Sequence, residues 1–430
     1  MDTTVIMTLF LVFFVFLALG VPISFSIGLA TFAALTVNFS MATSADIIAQ
    51  KAMTGLNSFG LLAVPFFILA GNIMNRGGIA KRLVDFANVF VGWLPGSLSH
   101  INIFANMLFG AISGSAVSAA AAVGGIMAPI QKEEGYDPAF AASVNIASCP
   151  SGLLIPPSGV LILYSLVSGG TSVAALFVAG YLPGLLMGVG LMLPTIWLAS
   201  RLGIKGTSVR EGSTQKIVAA LPSLALIVVV IGGIVGGIFT ATEASAIAVI
   251  YSLVLALLYK EITFSQLPSI FRESAITTCI VLFLVGTSMG MSWVMASANV
   301  PAFVSSVLGQ FSDQPLLVLL FVNIFLLVIG TFMDLTPAVL IFTPIFLPIM
   351  KKIGIDPVHF GMIMVFNLCI GICTPPVGSA LFIGCSVADV PMNRVIRYLI
   401  PMYVVLFVVL LLVTYIPGIS LWLPKLFGLM

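Results

Sequence analysis

Long apolar runs separated by short polar stretches extend along the whole chain. Most runs are about 15 to 25 residues long, which is the length that a helix needs to cross the hydrocarbon core of a bilayer. Hydropathy predicts spans at about 5–19, 22–38, 53–74, 138–166 and 173–200, with a hairpin over 98–130, and the same pattern returns from 217 onward. The pattern therefore predicts an all-α polytopic membrane protein.

Proline and glycine interrupt these runs at two places that match each other. A shift of 219 residues aligns GYDPAFAASVNIASCPSGLLIPPSG (135–159) with GIDPVHFGMIMVFNLCIGICTPPVG (354–378). Over 129–159, ten of 31 residues are identical after this shift, including the Asp-Pro and Pro-Pro pairs. Apolar composition alone does not produce matching breaks, so the sequence predicts two copies of one structural unit.

The placement of positive charge predicts that the two copies have opposite orientations in the membrane. With the N-terminus outside, twelve of the sixteen Lys and Arg residues lie on the cytoplasmic side, including those of the polar linker 201–216. The four that lie outside are Lys51, Lys351, Lys352 and Lys425. This bias is the one that the positive-inside rule describes, and it predicts inverted-topology repeats with a cytoplasmic linker.

These patterns divide the chain into two repeats. The first repeat covers 1–200, with scaffold helices over 1–74, an interfacial arm over 78–95, a re-entrant hairpin over 98–130, a broken helix over 138–166 and a helix over 173–200. After the linker, the second repeat covers 217–430, with scaffold helices over 217–298, an arm over 300–313, a hairpin over 315–350, a broken helix over 357–386 and a helix over 398–416.

The paired helix breaks indicate a ligand site. Backbone polar groups in hydrocarbon need partners, so a broken helix is tolerated only where it is buried in protein or lines a polar cavity. Freed carbonyls can then coordinate a cation, and half-helix N-termini can attract an anion. A single Pro-Pro pair is better explained by a packing kink. The second pair in register favours a secondary transporter with its site between the repeats.

Each predicted hairpin is also interrupted by polar residues. Residues 113–115 (Ser-Gly-Ser) interrupt the first hairpin, and residues 334–337 (Asp-Leu-Thr-Pro) interrupt the second. We expect Thr336 to be the N-cap of a helix with Pro337 in its first position. Structural roles stay open for both tips. The small residues of the first tip could form a helix–helix interface, and Asp334 could simply cap a helix or face water. A carboxylate in an apolar segment is nevertheless a functional candidate.

The remaining polar residues predict structural roles. Thr240 and Glu243 have the spacing of a capping box, in which each side chain satisfies a free amide at the start of a helix. The five cysteines lack metal-ligand spacing, and Cys369 and Cys373 are interpreted as small packing residues.

Composition excludes several other classes of protein. Hydrophobic residues make up 60% of the chain and charged residues only 7%, which excludes a soluble protein, and the net charge of +2 gives no indication of nucleic-acid binding. The sequence has no GxxxxGK[ST] phosphate-binding loop, so an ATP-driven pump is not predicted. Asp334 and Glu243 belong to different elements, so no carboxylate pair suggests an enzyme.

Several long motifs in order carry a resemblance to a known family. They are LLAVPFFILAGNIMNRGGIAKRL, FGAISGSAVSAAAAVGGIMAPI, LIPPSGVLILYSLVSGGTSVAALFVAGYLPGLL, GGIFTATEASAIAVIYSL and FMDLTPAVLIFTPIFLPIMKKIGIDP. Together they resemble the large membrane subunit of the tripartite ATP-independent periplasmic (TRAP) transporters along essentially the whole chain. The layout is also similar to that of divalent anion/sodium symporters.

The resemblance implies a function and partners. It implies sodium-driven import of a small organic acid across the bacterial inner membrane, with no cofactor beyond sodium as the coupling ion. The charge bias described above predicts a periplasmic N-terminus. A soluble periplasmic binding protein would deliver the substrate, and a separate small four-helix membrane subunit would complete the complex. The similarity to the symporters implies an elevator-type motion of a transport domain against a scaffold.

The resemblance also implies site residues. One sodium site would use Ser113, Gly114 and Ser115 with Ser148, Gly152 and Pro156, and the other would use Asp334 and Thr336 with Gly371, Thr374 and Pro375. The substrate would contact Ser115, Asn145, Pro157, Ser158, Thr336 and Pro376. Because the first tip has no carboxylate, the two sodium sites need not be equally strong.

Two questions stay open at the level of sequence. Family substrates include C4-dicarboxylates, sialic acid and other sugar acids, and the sequence gives no pocket geometry to choose among them; we slightly prefer a sugar acid such as sialic acid. The alternative function is a self-sufficient sodium/carboxylate symporter or exchanger that needs no further subunit.

Overall fold

The computed structural model describes residues 2–204, 213–309 and 314–430, and within these ranges every regular element is helical. The first half contains α1 (Thr3–Ala18), α2 (Ile23–Leu35), α3 (Met41–Leu56), α4 (Ala63–Arg76), α5 (Ile79–Val91), α6 (Ser97–Ser113), α7 (Ala116–Glu133), α8 (Pro138–Ser148), α9 (Ser151–Leu154), α10 (Gly159–Val167) and α11 (Val173–Arg201). The second half contains α12 (Ser213–Val235), α13 (Ala241–Leu258), α14 (Leu267–Ser297), α15 (Val300–Gly309), α16 (Pro315–Phe332), α17 (Leu335–Lys352), α18 (Pro357–Gly371), α19 (Ser379–Ala388), α20 (Met392–Tyr415) and α21 (Pro417–Leu426). Short 3-10 turns at Phe59–Leu62 and Phe264–Gln266 precede α4 and α14.

Many of these helices are long and apolar enough to cross a bilayer. The described residues contain eight such helices, and a ninth span results if α8–α9 and α10, which are bent by 50°, are counted together. The prediction of an all-α polytopic membrane protein with broken helices is therefore confirmed.

Three features of the helices differ from the prediction by hydropathy. The span predicted over 53–74 is two helices, because α3 ends before Asn57 and α4 starts only after a 3-10 turn. Helix α20 begins at Met392 rather than at 398, directly after Pro391. Helix α21 was not predicted. Parts of the predicted linker (205–212) and second arm (310–313) lie outside the described residues.

The two repeats interlock around the helix breaks. Helices α6 and α7 form the first hairpin, and α16 and α17 form the second. The half-helix after each break crosses to the hairpin of the other repeat, so that α10 packs on α17 and α19 packs on α7. As a result, both breaks and both hairpin tips lie in one part of the molecule.

Glycine allows each hairpin to approach its own broken helix closely. A Cβ atom on Gly110 of α6 would lie 2.3 Å from the Cα atom of Gly152 in α9. In the second repeat, a Cβ atom on Gly371 of α18 would lie 2.6 Å from the Cα atom of Gly330 in α16. Both distances are far below van der Waals contact, so each pair of helices meets backbone against backbone.

The scaffold is built mainly from α2, α3, α4, α13 and α14. Helix α4 packs along α13, and the Asn72 side chain of α4 donates to Ser274 Oγ of α14 at 2.8 Å. An ion pair joins Arg76 to Glu273 at one end of this contact. These contacts join the scaffold helices of both repeats into one body.

Glu243 lies at the start of a scaffold helix. Its Oε2 atom accepts hydrogen bonds from the Thr240 backbone N–H and from Thr240 Oγ1, both at 2.8 Å. The Glu243 N–H donates in turn to Thr240 Oγ1 at 3.2 Å, which completes a capping box at the start of α13. The carboxylate therefore satisfies helix-terminal groups, as its spacing predicted.

Candidate functional site

A pocket lies between the two hairpin tips and the two helix breaks, and the scaffold forms its other wall. The tips contribute Gly114, Ser115, Ala116, Val117, Asp334, Leu335 and Thr336; the breaks and their half-helices contribute Leu153, Gly159, Val160, Leu163, Ile372 and Ser379; the scaffold contributes Val64, Ile68, Thr277 and Val281. Four residues predicted for the site, Gly114, Ser115, Asp334 and Thr336, are therefore brought together.

Four helices begin at this pocket. Helices α7, α10, α17 and α19 start at Ala116, Gly159, Leu335 and Ser379 respectively. The first backbone N–H groups of a helix have no partner within the helix, and the helix dipole makes this end positive. Four such ends at one pocket form a site suited to an anion.

Most of these helix ends lack a side-chain cap. Ser115 caps α7 by accepting from the Ser118 N–H at 3.3 Å. The N-cap residues of the other three helices, Ser158, Asp334 and Gly378, make no capping hydrogen bond through a side chain. The first N–H groups of those helices are therefore free of side-chain caps, and among the described residues only in α19 is one of them already used, where the Ala380 N–H donates to the Ile372 carbonyl at 3.1 Å.

Asp334 is the single charged residue among the described residues that line the pocket. Its Oδ1 atom accepts a hydrogen bond from Ser379 Oγ at 3.2 Å, which links the second tip to the start of α19. Asp334 is itself the N-cap residue of α17, because its backbone is extended and the helix begins at Leu335.

The prediction that Thr336 is the N-cap of this helix is therefore wrong. Thr336 and Pro337 lie in the first turn of α17 instead. Proline is tolerated there because the first N–H groups of a helix have no partner within the helix. The positive end of α17 consequently starts two residues earlier and nearer to the Asp334 carboxylate.

The first tip contacts the first break. Gly114 has a φ of +62°, which favours glycine, and a Cβ atom at this position would lie 3.0 Å from the Pro157 carbonyl oxygen. Ser113 is buried next to it, and its hydroxyl lies 3.5 Å from the Ser115 carbonyl oxygen. The Ser158 hydroxyl is fully buried and has no partner within the described structure. Ser113, Pro157 and Ser158 do not line the pocket, but their hydroxyl and carbonyl oxygens lie next to its lining residues Gly114, Ser115 and Gly159.

Two predicted site residues lie away from the pocket, in a buried network between α6 and α8. Ser148 Oγ donates to the Val144 carbonyl at 2.7 Å and accepts from Asn106 Nδ2 at 2.8 Å. The same Asn106 amide donates to Asn145 Oδ1 at 3.0 Å, and Asn145 Nδ2 donates to the Ala120 carbonyl at 2.9 Å. These polar groups hold the first hairpin against its broken helix, and neither Ser148 nor Asn145 lines the pocket.

The second repeat has a corresponding network. Asn367 Nδ2 donates to Asn323 Oδ1 at 2.8 Å, and Asn323 Nδ2 donates to Thr414 Oγ1 at 3.1 Å. The Val377 N–H in the second break donates to the Thr331 carbonyl at the end of α16, at 3.1 Å. These bonds hold the second hairpin against its own break.

Several predicted residues belong to the breaks but do not line the pocket. Thr374 Oγ1 donates to the Ile370 carbonyl at 2.7 Å, within its own break. Gly152 and Gly371 contact the hairpins through backbone, as described above. The Pro156-Pro157 and Pro375-Pro376 bonds are both cis.

Sequence reasoning missed other residues around the site. Ser379 was missed because the serine that follows the second Pro-Pro pair is displaced by two positions from Ser158 in the first copy. Thr277 was missed because it comes from a scaffold helix, and only the packing of α14 brings it to the pocket. Asparagines within apolar helices, such as Asn106 and Asn367, were a usable signal, since buried polar groups in membrane helices require partners.

The arrangement can hold an anion together with a hard cation. The described residues contain no group of three His, Cys, Asp or Glu side chains that could bind a metal ion. A cation at the pocket would be held instead by backbone carbonyl and hydroxyl oxygens, with Asp334 as the charged ligand. Oxygen ligands of this kind suit hard cations rather than transition metals.

Comparison with known proteins places these features in a family. Residues 10–419 match the family model described as "Tripartite ATP-independent periplasmic transporter, DctM component". The chain is 56% identical to the uncharacterized protein YgiK of Salmonella typhimurium, covering 98% of each chain. It is 40% identical to the C4-dicarboxylate TRAP transporter large permease protein DctM of Pseudomonas aeruginosa, covering 94% of this chain and 95% of the relative.

A third relative agrees with this, and a solved structure is similar in fold. The chain is 38% identical to the sialic acid TRAP transporter large permease protein SiaM of Vibrio cholerae, covering 95% of this chain and 96% of the relative. The crystal structure of the YdaH transporter of Alcanivorax borkumensis is similar in fold, with a TM-score of 0.65 and 12% identity over 88% of this chain and 89% of that chain. The chain therefore belongs to the family of DctM components, the large permease subunits of tripartite ATP-independent periplasmic transporters.

Proposed function

We propose that the protein carries out sodium-coupled uptake of a small organic anion, with the pocket between the hairpin tips as its transport site. The observation that carries this proposal is the convergence of four helix N-termini on a pocket whose only charged lining residue, among those described, is Asp334. Helix N-termini attract the carboxylate of the substrate, and Asp334 with nearby oxygens attracts the cation.

Sodium is assigned an electrostatic role in substrate binding. None of the described residues that line the pocket is Lys, Arg or His. Each helix end contributes about 0.3–1 kcal/mol when exposed and up to about 2 kcal/mol when partly buried. The desolvation of a carboxylate costs more than this, so a bound cation supplies the remaining attraction.

The interlocked hairpins and breaks support an elevator-type motion. Helices α10 and α19 join the two hairpins into one body, and the scaffold wall of the pocket is formed by α4 and α14. Movement of the interlocked body against this wall would carry the pocket across the membrane. Asp334 and Thr336 would move with the ligand, whereas Thr277 would stay with the scaffold.

The substrate class and the partners follow the family. Relatives are named for sialic acid and C4-dicarboxylate transport, and we assign this chain to the same class of small organic acids, with a slight preference for a sugar acid such as sialic acid. A soluble periplasmic binding protein delivers the substrate, and a separate small membrane subunit completes the permease in the bacterial inner membrane. The N-terminus is assigned to the periplasmic side because this orientation satisfies the positive-inside rule.

Uptake into proteoliposomes tests the proposal. Vesicles containing this chain with the small subunit are given the binding protein and radiolabelled sialic acid or succinate, with an inward gradient of either sodium or choline. We expect uptake only with the sodium gradient and only when all three proteins are present. Uptake by this chain alone would support the self-sufficient symporter instead, and equal uptake in sodium and choline would exclude sodium coupling.

A further inference from the structure

The first helix break leaves the buried carbonyl group of Ile146 without its usual partner. In an α-helix, the carbonyl of residue i accepts the N–H of residue i+4. For Ile146, near the end of α8, that residue is Pro150, which has no N–H. Ile146 is fully buried, and an unpaired carbonyl at such a position is costly.

A thiol from the other repeat donates to the Ile146 carbonyl in place of the missing N–H. Cys373 lies in the second break, and its Sγ atom donates to the Ile146 carbonyl oxygen at 3.0 Å. Cys149, from the same repeat as Ile146, adds a longer contact of 3.4 Å. Cys373 is fully buried, and its own carbonyl accepts from the hydroxyl of Tyr403 in α20 at 2.6 Å. A chain of hydrogen bonds therefore runs from α20 through the second break to the first.

This bond has a particular location relative to the transport site. Cys373 lies two residues after Gly371, where the second break meets its hairpin, and directly before Thr374. Ile146 lies between Asn145 and Ser148, which hold the first hairpin against α8. The Cys373 thiol thus links the second break to the backbone of α8, the helix that leads into the first break.

We propose that Cys373 is a positioning residue that couples the two helix breaks, so that ligand binding at one break favours binding at the other. Without the thiol, no side chain of the second break holds the Ile146 carbonyl, and the direct hydrogen bond between the two breaks is lost. The inference rests on the proposed sodium coupling, because cooperativity is measured as the sodium dependence of uptake.

Three variants separate coupling from simple packing. Cys373→Ala removes the donor, whereas Cys373→Ser keeps a donor of similar size. Cys369→Ala is the matched control, since the Cys369 thiol lies 3.7 Å from the Pro150 carbonyl, and that carbonyl already accepts from the Leu153 N–H at 2.9 Å. Uptake is measured against sodium concentration in proteoliposomes that contain the complete permease and its binding protein.

We expect the wild-type and Cys369→Ala curves to be sigmoidal and alike. Cys373→Ala should raise the sodium concentration for half-maximal uptake about tenfold, as expected for loss of a buried partner, and should lower the Hill coefficient towards 1. Cys373→Ser should restore both values, which a role in packing alone does not require.

The outcomes distinguish failure of this inference from failure of the proposed function. If wild-type uptake does not depend on sodium, the proposed function fails and the coupling fails with it. If the wild type depends on sodium but its curve is not cooperative, or if Cys373→Ala retains the wild-type curve, only the coupling is overturned. Impairment of Cys373→Ser equal to that of Cys373→Ala would also overturn it.

Discussion

Ser379 donates a hydrogen bond to Asp334 across the pocket, with 3.2 Å between Ser379 Oγ and Asp334 Oδ1. The two residues come from different elements, since Asp334 precedes α17 in the second hairpin and Ser379 begins α19 after the second break. The bond orients the only carboxylate among the described pocket residues and leaves its other oxygen free for a ligand. The acidic side chain is therefore held where the helix N-termini converge.

This relationship predicts the effect of removing the charge of Asp334. Asp334→Asn retains the shape of the side chain and its acceptor oxygen for Ser379, so the fold should be preserved. The formal charge next to the cation is lost, and we expect the sodium concentration for half-maximal uptake to increase about tenfold or more. Sodium titration of uptake measures this change.

The matched control for that experiment is Asp46→Asn. Asp46 is exposed on α3 and is not a pocket residue, so its variant should retain the wild-type sodium curve. An Asp334→Asn protein that inserts normally and keeps the wild-type sodium dependence would exclude Asp334 as a cation ligand.

The other acid in an apolar segment should behave differently. Glu243→Ala removes the capping box at the start of α13, so we expect a lower melting temperature in detergent. The sodium dependence of uptake should stay at its wild-type value, because Glu243 is not among the pocket residues. A changed sodium affinity with unchanged stability would contradict the structural role.

The glycine contact between the first hairpin and the first break predicts a large effect on stability. Gly110→Ala places a Cβ atom 2.3 Å from the Gly152 Cα atom, so backbone must move. Overpacking of this kind costs about 1–3 kcal/mol or more. Gly125→Ala in α7 is the control, because a Cβ atom there meets no neighbour within 4 Å. Thermal unfolding in detergent should show a lower melting temperature for the first variant only; equal melting temperatures would show that the contact is not tight.

These residues also show how much the sequence can predict. The matching prolines and glycines predicted two breaks, and polar residues within apolar runs predicted two hairpin tips. The repeated punctuation marked positions where the backbone leaves the helix, and the family resemblance implied that Gly114, Ser115, Asp334 and Thr336 at the hairpin tips are site residues. The fold could be predicted to this extent because each of these signals is local.

The rest of the site depends on packing between distant segments. The family resemblance implied Ser148 and Asn145 as site residues, but their side chains bond to Asn106 and to α8 and α7 backbone. The direction of a side chain on a helix next to a break depends on the bend, which the sequence does not encode locally. Thr277 comes to the pocket only through the packing of the scaffold.

The last prediction concerns how an anion is held without a cationic side chain. The described pocket residues include no Lys, Arg or His, so no guanidinium or ammonium group is available to bind a carboxylate. The helix N-termini contribute a modest attraction. If bound sodium supplies the rest, the substrate should bind the membrane complex measurably only in sodium.

Calorimetry on the purified complex of this chain with its small subunit tests this prediction directly. Sialic acid or succinate is titrated in sodium chloride and then in an equal concentration of choline chloride, so that ionic strength is constant. We expect measurable heat of binding only in sodium. Because coupling between two ligands is reciprocal, the substrate should also tighten sodium binding by the same factor, which titration of sodium with and without substrate measures. Equal substrate affinity in both salts would mean that the helix ends alone hold the anion, and sodium would then have no role in substrate binding.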